Sequence, residues 1–226
     1  MEEKITVVVS SRETDAEKKE FLEHLKNSCG YNVHVMFLIN SDGVPLTKIY
    51  SDVLEKVTTN IVVFIHDDIE FLKNGWGLEI ARLFDNNKEY GIIGIAGSAE
   101  FDSSCAWWNY EKKYGQVLHR SEGKSWLSAF SPLLKEDLKE VCVIDGLFMA
   151  VDKRKISKTF DTDFGGFNHY DTSFCLSNYF DGKCKIGVTT NIRVAHKSIG
   201  KLSDNWFENK ELLNKKYGDK FPIKIE

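Results

Sequence analysis

An uninterrupted apolar run, Ile61-Val62-Val63-Phe64-Ile65, stops abruptly at His66-Asp67-Asp68. Adjacent carboxylates at the end of a buried strand point different ways, so one can hold a cation while the other meets a ribose or a sugar. A hard divalent cation with oxygen ligands bridges a carboxylate and a diphosphate, and it neutralises charge on a departing nucleotide diphosphate. The plainer reading is that the two acids cap the turn or helix that follows. His196, in Val194-Ala195-His196-Lys197-Ser198-Ile199-Gly200, stands after a late strand-like run. An imidazole there either completes a metal shell, for Mn²⁺ more readily than for Mg²⁺, or is structural. His66, His169 and His196 do not have the spacing of a zinc signature.

Three further features carry chemistry. The loop Phe164-Gly165-Gly166-Phe167-Asn168-His169-Tyr170-Asp171 delivers an acid to the start of an expected helix. Asp171 is there either as a helix cap or as a general base that deprotonates an acceptor hydroxyl. Asp145-Gly146 offers a second loop-facing carboxylate, or a turn inside a strand run. Trp107 and Trp108 either stack on a sugar ring or pack a core or lid.

The elements that must position these groups follow from periodicity. Ile5–Val9 is a β-branched run ending at Ser10-Ser11-Arg12, and residues 32–39 form a second strand ending at Asn40-Ser41-Asp42-Gly43. Amphipathic helices are expected over 15–26 and 45–57, and the third strand is 61–65. This β-α-β-α-β order predicts a parallel doubly wound sheet, in which ligands gather outside the carboxyl ends of the strands. The three polar clusters all fall at such ends. There is no G-x-x-x-x-G-K-[ST] and no G-x-G-x-x-G, so phosphate binding would fall to a metal and side chains. A helix is expected at 75–86 and a fourth strand at 90–96, opening into a Gly97-Ser98 turn. Residues 101–139 read as a long irregular excursion containing a strand-like Gln116-Val117-Leu118, of the kind that is functional or mobile. A strand over 141–151 interrupted at Asp145-Gly146, a helix over 170–179, a strand over 185–194 and an amphipathic helix over 204–217 complete the pattern.

Composition narrows the function classes. The chain has 226 residues, 42% hydrophobic and 28% charged, and its three prolines mark no linker, which predicts one globular domain. A formal net charge of −4 argues against nonspecific nucleic-acid binding. Lys18-Lys19 and Lys215-Lys216 read as solvated helix faces. Five cysteines without a C-x-x-C pair point to reduced thiols and a cytoplasmic protein. No signal-peptide stretch or membrane-spanning segment is visible, while peripheral contact at the inner face of a membrane stays open.

The ordered set of segments resembles the family-2-like glycosyltransferases with the GT-A fold. The matching segments are Val7-Val8-Val9-Ser10-Ser11-Arg12, Ile61 through Asp68, Gly94-Ile95-Ala96-Gly97, Val143 through Ala150, His169 through Leu176, and His196. Their order spans roughly residues 5–200. The resemblance implies an α/β fold with a mostly parallel central sheet flanked by helices and a Rossmann-like nucleotide-binding half. It implies residues 1–100 as donor half, 101–203 as acceptor and catalytic half, and 204–226 as a helical tail. It further implies a nucleotide-diphosphate-sugar donor, most commonly a UDP-sugar, a divalent metal (Mn²⁺ or Mg²⁺) and inversion at the anomeric carbon. Asp68 matches the final acid of the family's D-x-D metal motif, with His66 in place of the first acid. His196 matches a late metal-binding His. Asp171 matches the base of an E-D-type motif, with Tyr170 in place of Glu. Ser10, Ser11, Arg12, Asn40, His66, Asp67 and Asp145 are the expected donor contacts. The acceptor is a glycan, a lipid-linked sugar or a protein, and a homo-oligomer or partner completing its site stays open. Two rivals remain: a nucleotidyltransferase attacking phosphorus, and a noncatalytic nucleotide-sugar or glycan-binding module.

Overall fold

The computed structural model of the protein describes residues 5–198 and 202–226. Met1–Lys4, and Ile199 and Gly200 of the segment quoted around His196, lie outside the described residues. In chain order the elements of the first half are β1 (Ile5–Ser11), α1 (Lys19–Cys29), β2 (Val33–Ile39), α2 (Leu46–Lys56), β3 (Ile61–Ile65), β4 (Ile69–Phe71), α3 (Trp76–Asn86), β5 (Tyr90–Gly94), β6 (Ala96–Ser98) and β7 (Glu100–Phe101). Then come β8 (Lys113–Ser121), β9 (Lys124–Ala129), β10 (Lys139–Val141), β11 (Val143–Ile144), β12 (Phe148–Asp152), α4 (Tyr170–Asp181), β13 (Lys185–Val188), β14 (Val194–His196), α5 (Asp204–Tyr217) and β15 (Ile223–Lys224).

The first three strands form as the sequence predicts. β1 lies between β2 and β3, parallel to both, with Ile5 opposite Val33 and Ile61. Val7, Val8 and Val9 of β1 and all of β3 are buried, because helices cover this sheet and a β-branched run has apolar neighbours on both faces. α2 buries Leu46, Tyr50, Val53 and Leu54, a helical stripe at i, i+4, i+7 and i+8. α1 begins at Lys19 instead of Asp15. Glu17 turns back to accept from Thr14 N and Oγ1, each at 2.8 Å, which holds the preceding residues in a turn.

Beyond β3 the sheet differs from the expected mostly parallel one. Its order is β10-β13-β5-β12-β3-β1-β2, and β12 lies antiparallel between β3 and β5, with Phe148 opposite Ile65 and Met149 opposite Gly94. β13 is parallel to β5, and β10 is antiparallel to β13. The sheet is therefore mixed, and the parallel doubly wound pattern is confined to β1–β3. The reason is the path of the chain. Residues after β5 leave the main sheet and, together with the earlier β4, build a second one, in the order β11-β6-β8-β14-β4 with β9 on β8. The chain returns through Asp145-Gly146-Leu147, where His66 N donates to Leu147 O at 3.1 Å. A strand that re-enters at the carboxyl end of β3 must run antiparallel to it.

The second sheet corrects three further expectations. Gly97-Ser98 belongs to β6 and is not a turn. Part of the irregular 101–139 segment is the β8–β9 hairpin, closed at Glu122 and Gly123, with φ of 51° and 74°. The expected strand over 185–194 divides into β13, in the main sheet, and β14, in the second. The tail is more than a helix: β15 pairs with β7, Ile223 opposite Phe101. A single cluster of buried side chains runs from Ile5 to Ile223. Among the described residues, no helix is long and apolar enough to cross a membrane.

Candidate functional site

The carboxyl end of β3 faces the edge of the second sheet, and this junction assembles the polar groups. β14 lies between β4 and β8, with His196 opposite Ile69 on one side and His119 on the other. Lys197 N donates to Asp68 O at 3.0 Å, which ties the strand end carrying His196 to the turn carrying Asp68. His66, Asp68 and His196 thereby offer ligand atoms that all lie within 4.8 Å of one another. His196 Nε2 stands 3.2 Å from Asp68 Oδ1, yet that buried oxygen accepts no well-directed hydrogen bond. Three donor atoms this close together, one of them a buried carboxylate oxygen without a partner, fit a divalent cation. Tyr170 Oη lies 2.9 Å from His66 Nε2, an outer hydrogen bond of the kind that fixes a ligating ring.

Electrostatics agree with that fit. Burial pushes the His66 imidazole below its ordinary range, so it is neutral and able to ligate. Burial opposes ionisation of Asp68, but the close approach and charge of His196 overcome it and hold the carboxyl well below the usual range. For His196, burial lowers the value and Asp68 more than restores it, leaving it raised.

Asp67 points away from this cluster. Ser11 Oγ donates to Asp67 Oδ2, and Lys18 Nζ reaches the same oxygen at 3.3 Å. Lys18 is thus not on a solvated face, as its place beside Lys19 suggested. Its side chain is 16% exposed, and Asp67 raises its pKa against the opposing effect of burial. Ser10, Ser11, Arg12, Asn40, Asp67 and Asp68 border one cavity of ≈ 400 Å³, with His66 and Phe167 at its edge. The Asn40 amide is engaged on its own loop, bonding Val44 O at 2.9 Å and Val44 N at 2.8 Å. Arg12 lies over the Phe167 ring at 5.2 Å.

Asp145 and Asp171 border a second cavity, of ≈ 420 Å³, which shares His66 and Phe167 with the first. Asp171 does not cap α4; the residue before the helix is His169, in the left-handed region. Instead Asp171 Oδ2 accepts from Gly146 N and Oδ1 from Thr172 N, each at 2.7 Å. Burial, and then the charge of Asp145, push its carboxyl up to about 7. A carboxyl in that range is poised to exchange a proton near neutral pH. Asp145 Oδ1 accepts from Leu147 N at 3.0 Å, so the turn reading of Asp145-Gly146 also holds. Trp107 is buried against Phe130, whereas Trp108 is 36% exposed at the cavity mouth.

The structure gathers every residue singled out by sequence around these two cavities and the cluster between them. Sequence reading missed Lys18, the role of Tyr170 against His66, and Phe167 as a shared wall. It also missed His119, which stacks on Trp126 at 5.2 Å and lies 5.8 Å from His196. His119 directly follows the strand-like Gln116-Val117-Leu118, in a stretch otherwise read as irregular, and no motif marked it. The loop carrying Phe167 is held by contacts remote in sequence: Leu46 N donates to Gly166 O at 3.0 Å and Thr47 Oγ1 to Phe164 O at 2.7 Å.

Comparison with known proteins agrees with this architecture. Two solved structures are similar, and the first bears on the fold. GalNAc-T7, determined with UDP, GalNAc and Mn²⁺, superposes with a TM-score of 0.55 at 10% identity, over 93% of this chain and 47% of its own. The chain thus spans about half the length of GalNAc-T7. A197 from STIV gives a TM-score of 0.49 at 12% identity, over 87% of this chain and 86% of its own. No curated protein matches the sequence. The model of the Glycosyltransferase like family matches residues 5–217, nearly the whole length. The chain therefore belongs to that glycosyltransferase-like family, in keeping with the family-2-like resemblance of its sequence.

Proposed function

We propose that the protein transfers a sugar from a nucleotide-diphosphate sugar, UDP-linked by preference, to an acceptor hydroxyl with inversion at the anomeric carbon. One observation carries the reading: a cation-fitting cluster and a carboxyl held at about 7 border two cavities that meet at His66 and Phe167. The cavity by Asp67 takes the nucleotide, with Ser10, Ser11, Arg12 and Asn40 around it. Residues 1–100 supply most of this donor half, 101–203 the acceptor half, and 204–226 the tail.

His66, Asp68 and His196 would hold the metal. Two imidazoles and one carboxylate favour Mn²⁺ over Mg²⁺, which prefers all-oxygen ligands. When bound, the ion supplies charge neutralisation to the diphosphate. Asp171 takes the proton from the acceptor hydroxyl. That oxygen forms a bond to the sugar C1 from the face opposite the diphosphate, and the C1–O bond to the diphosphate breaks with its electron pair leaving on the diphosphate oxygen. Attack from the opposite face inverts the centre, so no nucleophile from the chain is needed.

The test is calorimetry with UDP and GDP, with Mn²⁺, with Mg²⁺ and in chelator. Binding should weaken sharply in chelator, and Asp68→Asn should lose the cation dependence while its far-UV CD spectrum stays near wild type. Equal affinity with and without cation would remove the metal role. Release of pyrophosphate would favour nucleotidyl transfer, and donor binding with neither transfer nor hydrolysis would favour a binding module.

A further inference from the structure

The cavity that contains Asp171 has a wall that proton transfer does not use. Trp108 and Trp206 stand with ring centroids 6.3 Å apart, and Trp107 meets Trp108 edge-on at 6.0 Å. These rings line the same cavity as Asp145 and Asp171. His169 lies beside them, 5% exposed, with its ring 4.9 Å from that of Trp206. Its Nε2 is buried and has no hydrogen-bond partner. Burial, and then the charge of Lys210, hold its pKa down at about 4, so at neutral pH the ring is uncharged and offers one donor and one acceptor nitrogen.

A buried polar nitrogen without a partner costs free energy unless a ligand satisfies it. His169 is also in the left-handed region, at φ 59°, an uncommon conformation for a residue other than glycine. Such conformations cluster at ligand sites. An apolar aromatic surface beside a few directed polar groups is the usual lining of a small-molecule site. A pyranose matches it on both counts: its C–H faces are apolar and lie flat on rings, while its rim presents hydroxyls. A Ser or Thr side chain would cover little of the wall.

We propose that this cavity binds a pyranose ring of the acceptor, stacked on the Trp108–Trp206 wall with a ring hydroxyl bonded to His169 Nε2. The acceptor is then a sugar hydroxyl, whatever the sugar is attached to. The inference rests on the transfer reading for its place in the reaction, but the binding itself is tested separately.

Saturation-transfer NMR on the full chain, with and without UDP and Mn²⁺, would use methyl pyranosides of glucose, galactose, mannose and N-acetylglucosamine as probes, alongside blocked Ser and Thr peptides. At least one pyranoside should show saturation at its ring protons. Trp108→Ala and His169→Asn should each weaken it by about tenfold or more, the range of one lost directed contact. Asn tolerates the left-handed conformation but is too short to present the same nitrogen. Monodeoxy analogues lacking the bonded hydroxyl should lose affinity with wild type and lose no more with His169→Asn, a coupling that a purely structural His169 would not show. UDP affinity reads whether each variant is folded, and Trp108→Ala decides alone if His169→Asn is not. Binding of UDP without any pyranoside, binding of peptides only, or pyranoside signals of full strength in Trp108→Ala would overturn the proposal. Loss of UDP binding by the wild-type protein would instead overturn the transfer reading.

Discussion

In the proposed reaction Asp171 combines a chemical and a structural duty. Both carboxylate oxygens accept backbone N–H groups, from Gly146 and Thr172. Asn has one acceptor oxygen, so Asp171→Asn sets an amide NH₂ against one of those donors. At about pH 4 the variant should be less stable than wild type by about 1–3 kcal/mol, the cost of an unsatisfied buried group. It should also lose roughly 10²–10⁴-fold in transfer rate, the range of a general base. Denaturant unfolding and turnover on the same sample separate the two effects. Activity should rise with pH through about 7 as the carboxyl ionises. Asp145→Asn removes the second cause of the elevation and should move that limb to lower pH. Because the folded value lies above the unfolded one, Asp171 contributes stability below about pH 4, and this is lost as pH rises through about 7. Wild type should lose up to about 4 kcal/mol over that window relative to Asp171→Asn. Parallel unfolding curves for both proteins would remove the assignment.

At the scale of elements, the turn between β11 and β12 is the junction on which the site depends. Gly146 is needed for closeness and not for an unusual φ. A Cβ there would overlap Tyr170 Oη and stand 3.0 Å from Asp171 Cβ. Gly146→Ala should push Tyr170 off His66 and loosen Asp171, costing about 1–3 kcal/mol as an overpacked core site does. A transfer rate reduced by less than about threefold would show that the junction tolerates displacement, since misplacement of ~1 Å usually costs ~10²-fold. The β8–β9 hairpin changes what is expected of proteolysis. β8 pairs with β6, β9 and β14, so Lys113 and Arg120 should resist trypsin. Cleavage should fall at exposed Lys135 and at Lys124 beside the hairpin turn, as read by mass spectrometry. Early cuts within β8 would restore the picture of a mobile excursion.

For the whole molecule, the candidate cation cluster joins two sheets: His66 directly follows β3 of one, while His196 lies in β14 of the other. An ion bound there links them and stabilises only the folded chain. At about 100 times its Kd it adds about 2.7 kcal/mol. For a chain of this size that corresponds to a Tm increase of roughly 5–10 °C. Mn²⁺ should give the larger shift and Mg²⁺ the smaller, and His196→Ala should abolish both in differential scanning fluorimetry. An equal shift in His196→Ala would place the ion elsewhere.

The sequence determined what local pattern can determine. The β-branched runs at 5–9 and 61–65, the helical stripe of α2 and the polar residues at strand ends each state their conformation within a few residues. The expected helix over 204–217 coincides with α5. The pairing of β12 was not legible, because an apolar run says nothing about the direction from which the chain returns. Of the hairpin only Gln116-Val117-Leu118 of β8 was legible, since β9 is largely exposed and lacks the alternation of a half-buried strand. Sequence named Asp68, Asp171 and His196 separately and left each with a plainer reading beside it. Only the tertiary structure decided that Asp68 and His196 meet His66, that Lys18 turns inward to Asp67, and that Asp171 is buried beside Asp145. Ligation and pKa elevation depend on distance and desolvation, which are properties of packing between segments remote in the chain.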